Sequence, residues 1–225
     1  MPHDAPSIDT LAHLSDHHGD FAAFRDLMLQ TSAGRFGPIF WGVFDQYVRP
    51  RLPDAPRLLD VGCGPGGLFE PMRAHVPGSA IVGLEVQPAM LEAARERAAA
   101  LGDVEIFEAD LAAPLPLADA SIDGAVASMV LHEMPYPVQL LRELGRVLKP
   151  GAPLLVFDWV RQPLAEYAGE DEMTPGLLQH FREHCLYTPE DLAYLCQLCG
   201  LQVLETVGRR GNRHAMLACV NGERL

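Results

Sequence analysis

The sequence predicts an α/β protein whose centre is a doubly wound sheet of seven mostly parallel strands with an antiparallel C-terminal strand. From Arg57 onward, short apolar runs alternate with amphipathic stretches of helical spacing. This alternation is typical of parallel strands joined by helices that cover both faces of a sheet. The last two apolar runs are separated only by a turn rich in glycine and arginine, which predicts a closing hairpin. A length of 225 residues, 48% of them hydrophobic, fits one globular domain.

Turn and cap signals place the elements along the chain. Pro88 begins a helical pattern that Gly102 ends, and Thr188 followed by Asp191 is typical of a capped helix N-terminus. The predicted helices of this region cover 88–101, 137–148 and 188–200. The predicted strands cover 57–61, 80–86, 104–109, 122–129, 154–159, 201–207 and 215–220.

Two stretches lie outside this alternation. Residues 1–51 carry helical patterns at 20–30 and 38–48, so we expect an N-terminal helical cap. In this cap the aromatic pair Phe40 and Trp41 is expected on a lid or at the adenosyl end of the cofactor. A polar, proline-interrupted stretch follows the fifth strand and is interpreted as an insert on the substrate side. The predicted single domain, 1–225, then consists of the cap, a cofactor-binding core at 57–159, the insert at 160–187, and the last helix and hairpin at 188–225.

The charge balance argues against nucleic acid or a membrane surface as a partner. The chain has 17 Lys and Arg against 30 Asp and Glu, a formal net charge of −13. Such a field repels phosphate backbones and anionic lipids. The sequence shows no membrane-spanning run and no signal peptide, and its five cysteines are scattered, so we expect a cytoplasmic protein. His180 and His184 are interpreted as a solvated helix face rather than metal ligands, and no metal site is predicted.

A glycine cluster follows the first predicted strand. The run Leu-Leu-Asp-Val-Gly-Cys-Gly-Pro-Gly-Gly begins at Leu58, and Gly62, Gly64 and Gly67 have the spacing GxGxxG. Glycines at a strand-to-helix turn allow a tight bend and let a ligand approach the backbone closely. The spacing alone fits a nicotinamide dinucleotide or another nucleoside cofactor.

Three acidic residues at strand ends narrow the choice of cofactor. Glu85 ends the second strand, where an acid can bind both hydroxyls of a ribose, and Asp110 ends the third, where an acid can bind an adenine amino group. Asp60 precedes the first glycine by two residues. A carboxylate there would repel a pyrophosphate but attract an ammonium group, so the set favours a cationic cofactor without phosphate.

In these motifs the chain resembles the class I S-adenosylmethionine-dependent methyltransferases, whose fold is Rossmann-like, and the small-molecule branch in particular. The resemblance runs from about Leu58 to Trp159 and includes the glycine cluster, Val-Gly-Leu-Glu ending at Glu85, and Glu-Ala-Asp-Leu ending at Leu111. It continues through the fourth strand and the following Leu-Lys-Pro-Gly turn. It implies S-adenosyl-L-methionine as cofactor, held by Asp60, Gly62, Gly64, Glu85, Val86, Asp110, Leu111 and Met129.

His132 is the predicted catalytic residue. It follows the fourth strand, and strand ends of such sheets face the ligand crevice, so its imidazole could remove a proton from an acceptor. Packing beneath the cofactor is the alternative role. We expect methyl transfer to a small-molecule acceptor. The rival interpretations are an NAD(P)-linked oxidoreductase and a protein that binds S-adenosylmethionine without catalysis.

Overall fold

A single sheet of seven strands dominates the computed structural model, which describes residues 9–18, 20–163, 174–175, 178–179, 187–208 and 214–222. Across the sheet the strands lie in the order β3-β2-β1-β4-β5-β7-β6. The strands are β1 (Arg57–Val61), β2 (Ala80–Glu85), β3 (Val104–Glu108), β4 (Gly124–Ser128), β5 (Pro153–Trp159), β6 (Leu201–Gly208) and β7 (His214–Asn221).

The strand directions confirm the predicted fold class. Strands β1 to β5 pair in parallel, and β7 runs antiparallel to both of its neighbours, β5 and β6. From β1 the chain proceeds outward to β3 and then returns to β4 on the other side of β1. This reversal separates the connections after β1 and β4, and it opens a crevice at the carboxyl ends of these strands.

The helices begin and end where the local sequence provides caps. The side chain of Asp20 accepts hydrogen bonds from the first turn of the second helix, and Thr188 forms a capping box with Asp191. The helices are α1 (Thr10–His18), α2 (Phe21–Arg35), α3 (Pro38–Val43), α4 (Phe69–His75), α5 (Pro88–Leu101), α6 (Val138–Val147) and α7 (Pro189–Leu198).

Apolar side chains cover both faces of the sheet. In β1, Leu59 joins a core beneath α6 and α7, whereas its neighbour Leu58 joins a second core with α3 and α4. Side chains alternate between the faces of a strand, so a continuous apolar run is required when both faces are buried. The result is a rigid support for the loops at the strand ends.

Three predictions about the N-terminal part and the fourth strand need correction. Phe40, 2% exposed, packs beside Phe157 in the second core, and Trp41 stacks on His75, so neither lies on a lid. The helix predicted at 38–48 is divided into α3, a π-helical turn (Phe44–Val48) and a 3-10 turn (Arg49–Arg51). The fourth strand ends before Met129, whose φ of 60° leaves the extended region.

Some predictions fall outside the described residues. They include most of the insert at 160–187, with His180 and His184, and the tip of the C-terminal hairpin at 209–213. Among the described helices, none is long and apolar enough to cross a membrane.

Candidate active site

A cavity of about 430 Å³ opens at the carboxyl ends of β1, β2, β3 and β4. Small-molecule sites commonly measure roughly 300–1,000 Å³. The strand ends supply the floor and α1 with α2 supply the opposite wall. All of the predicted cofactor residues line this cavity, namely Asp60, Gly62, Gly64, Glu85, Val86, Asp110, Leu111 and Met129.

The glycine loop needs its glycines for two different reasons. Gly62 has a φ of 63°, and a Cβ added there would lie 2.7 Å from Val130 Cγ2. Gly67, the third glycine of the predicted spacing, lacks a positive φ, but a Cβ added there would lie only 3.1 Å from Ser32 Cβ of α2. The first position therefore shapes the floor of the cavity, and the last lets α2 dock on the loop.

Glu85 connects the end of β2 to the glycine loop. Its Oε2 accepts a hydrogen bond from Gly64 N at 2.9 Å, and its Oε1 accepts bonds from Val86 N at 2.8 Å and Gln87 N at 2.9 Å. Burial raises the pKa of Glu85, and these backbone bonds, which favour the carboxylate, offset part of the rise. A carboxylate has about four acceptor positions, so one remains for a ligand hydroxyl.

Asp60 is a buried carboxyl group in the floor of the cavity. It is 3% exposed, and none of the described residues donates a hydrogen bond to its Oδ2. Burial and the charge of Glu85 raise the pKa of Asp60 to about 8. A buried, unsatisfied carboxyl group is costly unless a ligand satisfies it. The site therefore fits a ligand that brings a cationic donor to Asp60, as the ammonium group of S-adenosylmethionine would.

Asp110 connects the end of β3 to the first helix of the chain. Its Oδ1 accepts hydrogen bonds from Thr10 Oγ1 and Ala112 N, both at 2.9 Å. Val86 and Leu111 flank this carboxylate on the cavity wall. The N-terminal helix is thereby held against the end of the pocket where the sequence predicts an adenine.

Beyond β4 the chain turns sharply at Met129. Its N–H donates to Phe157 O at 2.8 Å across the sheet, while the residue itself has a positive φ. Such a conformation is uncommon for a residue with a side chain and is held in place by the surrounding packing. The turn brings Ser128, Met129 and Val130 to the cavity in succession.

His132 does not lie on the lining of the cavity. Its Nδ1 is 2.5 Å from Asp158 Oδ1, and its Nε2 is 3.1 Å from Glu133 Oε1. Burial alone would lower the pKa of His132, but the charge and hydrogen bond of Asp158, supported by Glu133, outweigh burial and raise it to about 10. An imidazolium with both nitrogens engaged has no lone pair for a proton, so this geometry does not support the predicted general-base role.

The wall formed by α2 was not predicted from the sequence. Phe21, Phe24, Met28, Ser32 and Arg35 follow one another at intervals of three or four residues and all line the cavity. Yet no residue of α2 is fully buried. The stripe faces the cavity instead of the core. Its helical spacing is the feature of the sequence from which this wall could have been predicted.

The described part of the chain contains no group of three or more His, Cys, Asp or Glu that could hold a metal ion. Four of its cysteines, Cys63, Cys196, Cys199 and Cys219, are free thiols.

Comparison with known proteins identifies relatives of the core. Residues 59–156 match the family described as methyltransferase domain. A trans-aconitate 2-methyltransferase of Methylobacterium nodulans is 38% identical over 112 residues, which are 50% of this chain and 42% of that protein. A demethylmenaquinone methyltransferase of Thermus thermophilus is 36% identical over 114 residues, which are 50% of this chain and 51% of that protein. The chain spans about half or less of the length of these curated relatives.

Solved structures share the fold across a larger part of the chain. A SAM-dependent methyltransferase from Aquifex aeolicus superposes with a TM-score of 0.63 at 20% identity, covering 89% of this chain and 98% of that one. The [4+2]-cyclase SpnF superposes with a TM-score of 0.65 at 21% identity, covering 80% of each chain. These similarities establish the doubly wound fold, and the family that residues 59–156 match is a methyltransferase domain.

Proposed function

We propose that this chain is a class I S-adenosylmethionine-dependent methyltransferase that transfers a methyl group from S-adenosylmethionine to a small organic acceptor. The family match at residues 59–156 covers the strands that form the cavity floor. The curated relatives named above methylate trans-aconitate and demethylmenaquinone, which supports a small acceptor. A cavity of about 430 Å³ is of the size that such ligands occupy.

The observation that carries the proposal is the pair of acidic groups beside the glycine loop. The Asp60 carboxyl lies in the cavity floor with an unsatisfied oxygen, and the charge of Glu85 acts on it from the next strand. The negatively charged pyrophosphate of a dinucleotide would be repelled by these two acidic groups, whereas an ammonium group would be attracted by both. The two acidic groups therefore favour S-adenosylmethionine over NAD(P), the cofactor of the oxidoreductase alternative.

Five of the lining residues would hold the cofactor. Asp60 would accept hydrogen bonds from the ammonium group, and the remaining acceptor position of Glu85 would receive a ribose hydroxyl. Asp110, Val86 and Leu111 would enclose the adenine. Bound in this way, S-adenosylmethionine supplies a methyl group activated by its positive sulfur.

The chain's own contribution to the reaction is orientation and exclusion of water. The Met129 turn, fixed by the hydrogen bond to Phe157, would keep the acceptor and the cofactor in one geometry. Phe21, Phe24 and Met28 provide an apolar wall opposite the strand ends. Positioning two reactants is a large part of the catalysis of a displacement at an activated carbon.

Calorimetric titration tests the assignment of the cofactor. The chain should bind S-adenosylmethionine and S-adenosylhomocysteine but not NADH. Glu85→Ala should weaken this binding by about 1.5–3 kcal/mol, because the charged acceptor of a ribose hydroxyl is lost. Glu92→Ala, which removes an exposed carboxylate of α5, serves as the matched control and should leave the affinity unchanged.

Turnover is tested separately from binding. A metabolite extract incubated with the chain and methyl-labelled S-adenosylmethionine should yield a labelled small molecule that is absent when Glu85→Ala replaces the parent. Binding of NADH in preference to S-adenosylmethionine would contradict the cofactor assignment. Tight binding of S-adenosylmethionine without any labelled product would favour the non-catalytic alternative.

A further inference from the structure

We propose that Arg35 binds the α-carboxylate of S-adenosylmethionine and that, opposite Asp60, it makes one end of the cavity a site for an α-amino acid. The inference rests on the proposed function and deepens it, because it adds a residue outside the strand-end motifs to the cofactor site. Its structural basis is a cation of the cavity wall that forms no ion pair with a described carboxylate.

The charges of the cavity wall are unequal. Among the described residues that line it, Arg35 is the only lysine or arginine, whereas four are acidic, namely Asp60, Glu85, Asp110 and Glu133. A carboxylate ligand that enters such a cavity loses water and is repelled by those acidic groups that are ionised. It therefore needs a cationic partner, and the permanently charged group of the described lining is the guanidinium of Arg35.

Arg35 is the last residue of α2, and its guanidinium is held at one nitrogen. Nη2 donates to Thr31 Oγ1 at 3.1 Å and to Met28 Sδ at 3.4 Å, while Cζ lies 6.0 Å from the centre of the Phe36 ring. Nε and Nη1 have no hydrogen-bond partner among the described residues, and neither is a buried atom. The side chain is thus oriented while two of its nitrogens remain available to both oxygens of a carboxylate.

Arg35 and Asp60 are placed over the same face of the sheet. In β1 the side chain of Leu58 joins the second core, and Asp60, two residues later, points to the same face as Leu58. Phe36, which directly follows Arg35, also belongs to the second core. The end of α2 therefore lies over the face to which the Asp60 carboxyl group points.

The last turn of α2 is also docked on the glycine loop. A Cβ added at Gly67 would lie only 3.1 Å from Ser32 Cβ, and Arg35 follows Ser32 by three residues, about one turn. Asp60 precedes the first glycine of the same loop by two residues. The cavity wall therefore carries a carboxyl group on one side of the glycine loop and a guanidinium on the other.

An α-amino acid matches this pair of groups. Its ammonium and carboxylate groups are attached to one carbon atom, so a ligand whose ammonium group is bound by Asp60 has its carboxylate close by. Arg35 offers this carboxylate an opposite charge and two N–H donors, whereas an ionised Asp60 or Glu85 repels it. The methionine end of the cofactor would thus connect the floor of the cavity to α2.

Two compounds that differ only by the carboxylate test the assignment. They are S-adenosylmethionine and its decarboxylated form, which keeps the ammonium group, the sulfonium and the adenosine. Calorimetric titration of the full chain at pH 7 gives the dissociation constant of each compound. The parent should bind S-adenosylmethionine at least about tenfold more tightly than the decarboxylated form, the effect of one charge-assisted pair.

Variants show whether Arg35 causes this preference. Arg35→Gln lacks the charge and should bind the two compounds within about twofold of each other. Arg35→Lys keeps the charge without the planar fork of donors, so it should retain a part of the preference. Arg25→Gln is the matched control, because Arg25 belongs to the same helix, pairs with Asp26 and is outside the described lining of the cavity. It should keep the preference of the parent.

Three results would overturn the assignment. They are equal binding of the two compounds by the parent, an unchanged preference in Arg35→Gln, and a weakening of both compounds by the same factor in Arg35→Gln, which indicates a purely structural role. If Arg35→Gln does not fold, a preference in Arg35→Lys equal to that of the parent would overturn it. A parent that binds neither compound would instead contradict the proposed function, so the two failures are distinguishable.

An acceptor that carries a carboxylate is the alternative source of the same chemistry. The binding of 3-phenylpropionate to the full chain saturated with S-adenosylhomocysteine, measured by ligand-observed NMR, separates the two sources. Because the cofactor's own carboxylate should occupy Arg35, the parent and Arg35→Gln should behave alike toward this probe. Binding to the saturated parent that is lost in Arg35→Gln would assign Arg35 to the acceptor and overturn the proposal.

Discussion

The buried Asp60 should make the free chain less stable as the pH rises, and Asp60→Asn should remove this effect. In the unfolded chain the carboxyl group ionises near its ordinary pKa of 3.8, whereas in the folded chain burial and the charge of Glu85 raise its pKa to about 8. The unfolded state therefore loses its proton first. Stability should fall as the pH rises from about 4 to about 8 and then stay constant.

The size of the effect follows from the difference between the two pKa values. Between the two pKa values, each pH unit above 3.8 lowers the free energy of unfolding by about 1.4 kcal/mol. The loss at pH 7 therefore has an upper bound of about 4 kcal/mol. In a chain of this length such a change corresponds to a difference of about 10 °C in Tm. The asparagine is neutral throughout, so its advantage over the parent should be absent near pH 4 and largest near pH 8.

Thermal unfolding at pH 5, 6, 7 and 8 measures the effect, followed by calorimetry with S-adenosylmethionine at pH 7. Asp54→Asn, at an exposed loop position, is the control and should follow the parent. The stabilised Asp60→Asn should bind the cofactor at least about tenfold more weakly, since the positive ammonium group favours the ionised form of Asp60 and the asparagine offers no carboxylate to accept from it. Parallel Tm profiles of parent and Asp60→Asn across this pH range would refute the reasoning.

Three further substitutions affect residues that hold the loops around the site in place, and their effect on the free energy of unfolding is measured by urea denaturation. Gly62→Ala should cost about 1–3 kcal/mol because it adds a left-handed alanine and a contact 2.7 Å from Val130 Cγ2. Gly200→Ala, at a positive φ of 82° with open space around the added Cβ, should show the backbone cost alone. Asn221→Ala should cost about 1–3 kcal/mol, since its buried amide donates to three carbonyl groups at the C-terminal end of α6 and just beyond it, and a loss below 0.5 kcal/mol, on the order of one weak hydrogen bond, would contradict this. Arg146→Lys should cost about 1 kcal/mol because the planar guanidinium, which binds two carbonyls of the β3–β4 loop and two carboxylates, has no equivalent in lysine; an unchanged midpoint would reject this.

The floor of the site is predictable because its signals are local. A strand pattern shows where the strand ends, and glycines at that point mark a turn whose conformation other residues avoid. In a doubly wound sheet the carboxyl ends of the central strands converge. Gly62, Glu85 and Asp110 therefore line one cavity although up to 25 residues separate neighbours in sequence. The direction of the last strand follows in the same way from the short hairpin.

The wall of the site and the protonation states of its charged groups could be known only from the tertiary structure. The sequence placed His132 at a strand end, but its protonation is determined by Asp158, which is 26 residues away and lies on the next strand. Likewise, the pattern of α2 shows an apolar stripe without showing what the stripe faces, and Phe40 carries the same aromatic signal yet packs into the core. Spacing along a chain determines which side chains share a face. Only the packing of distant segments determines whether that face meets a core, a cavity or another charge, because burial and electrostatic contacts are properties of neighbours in space.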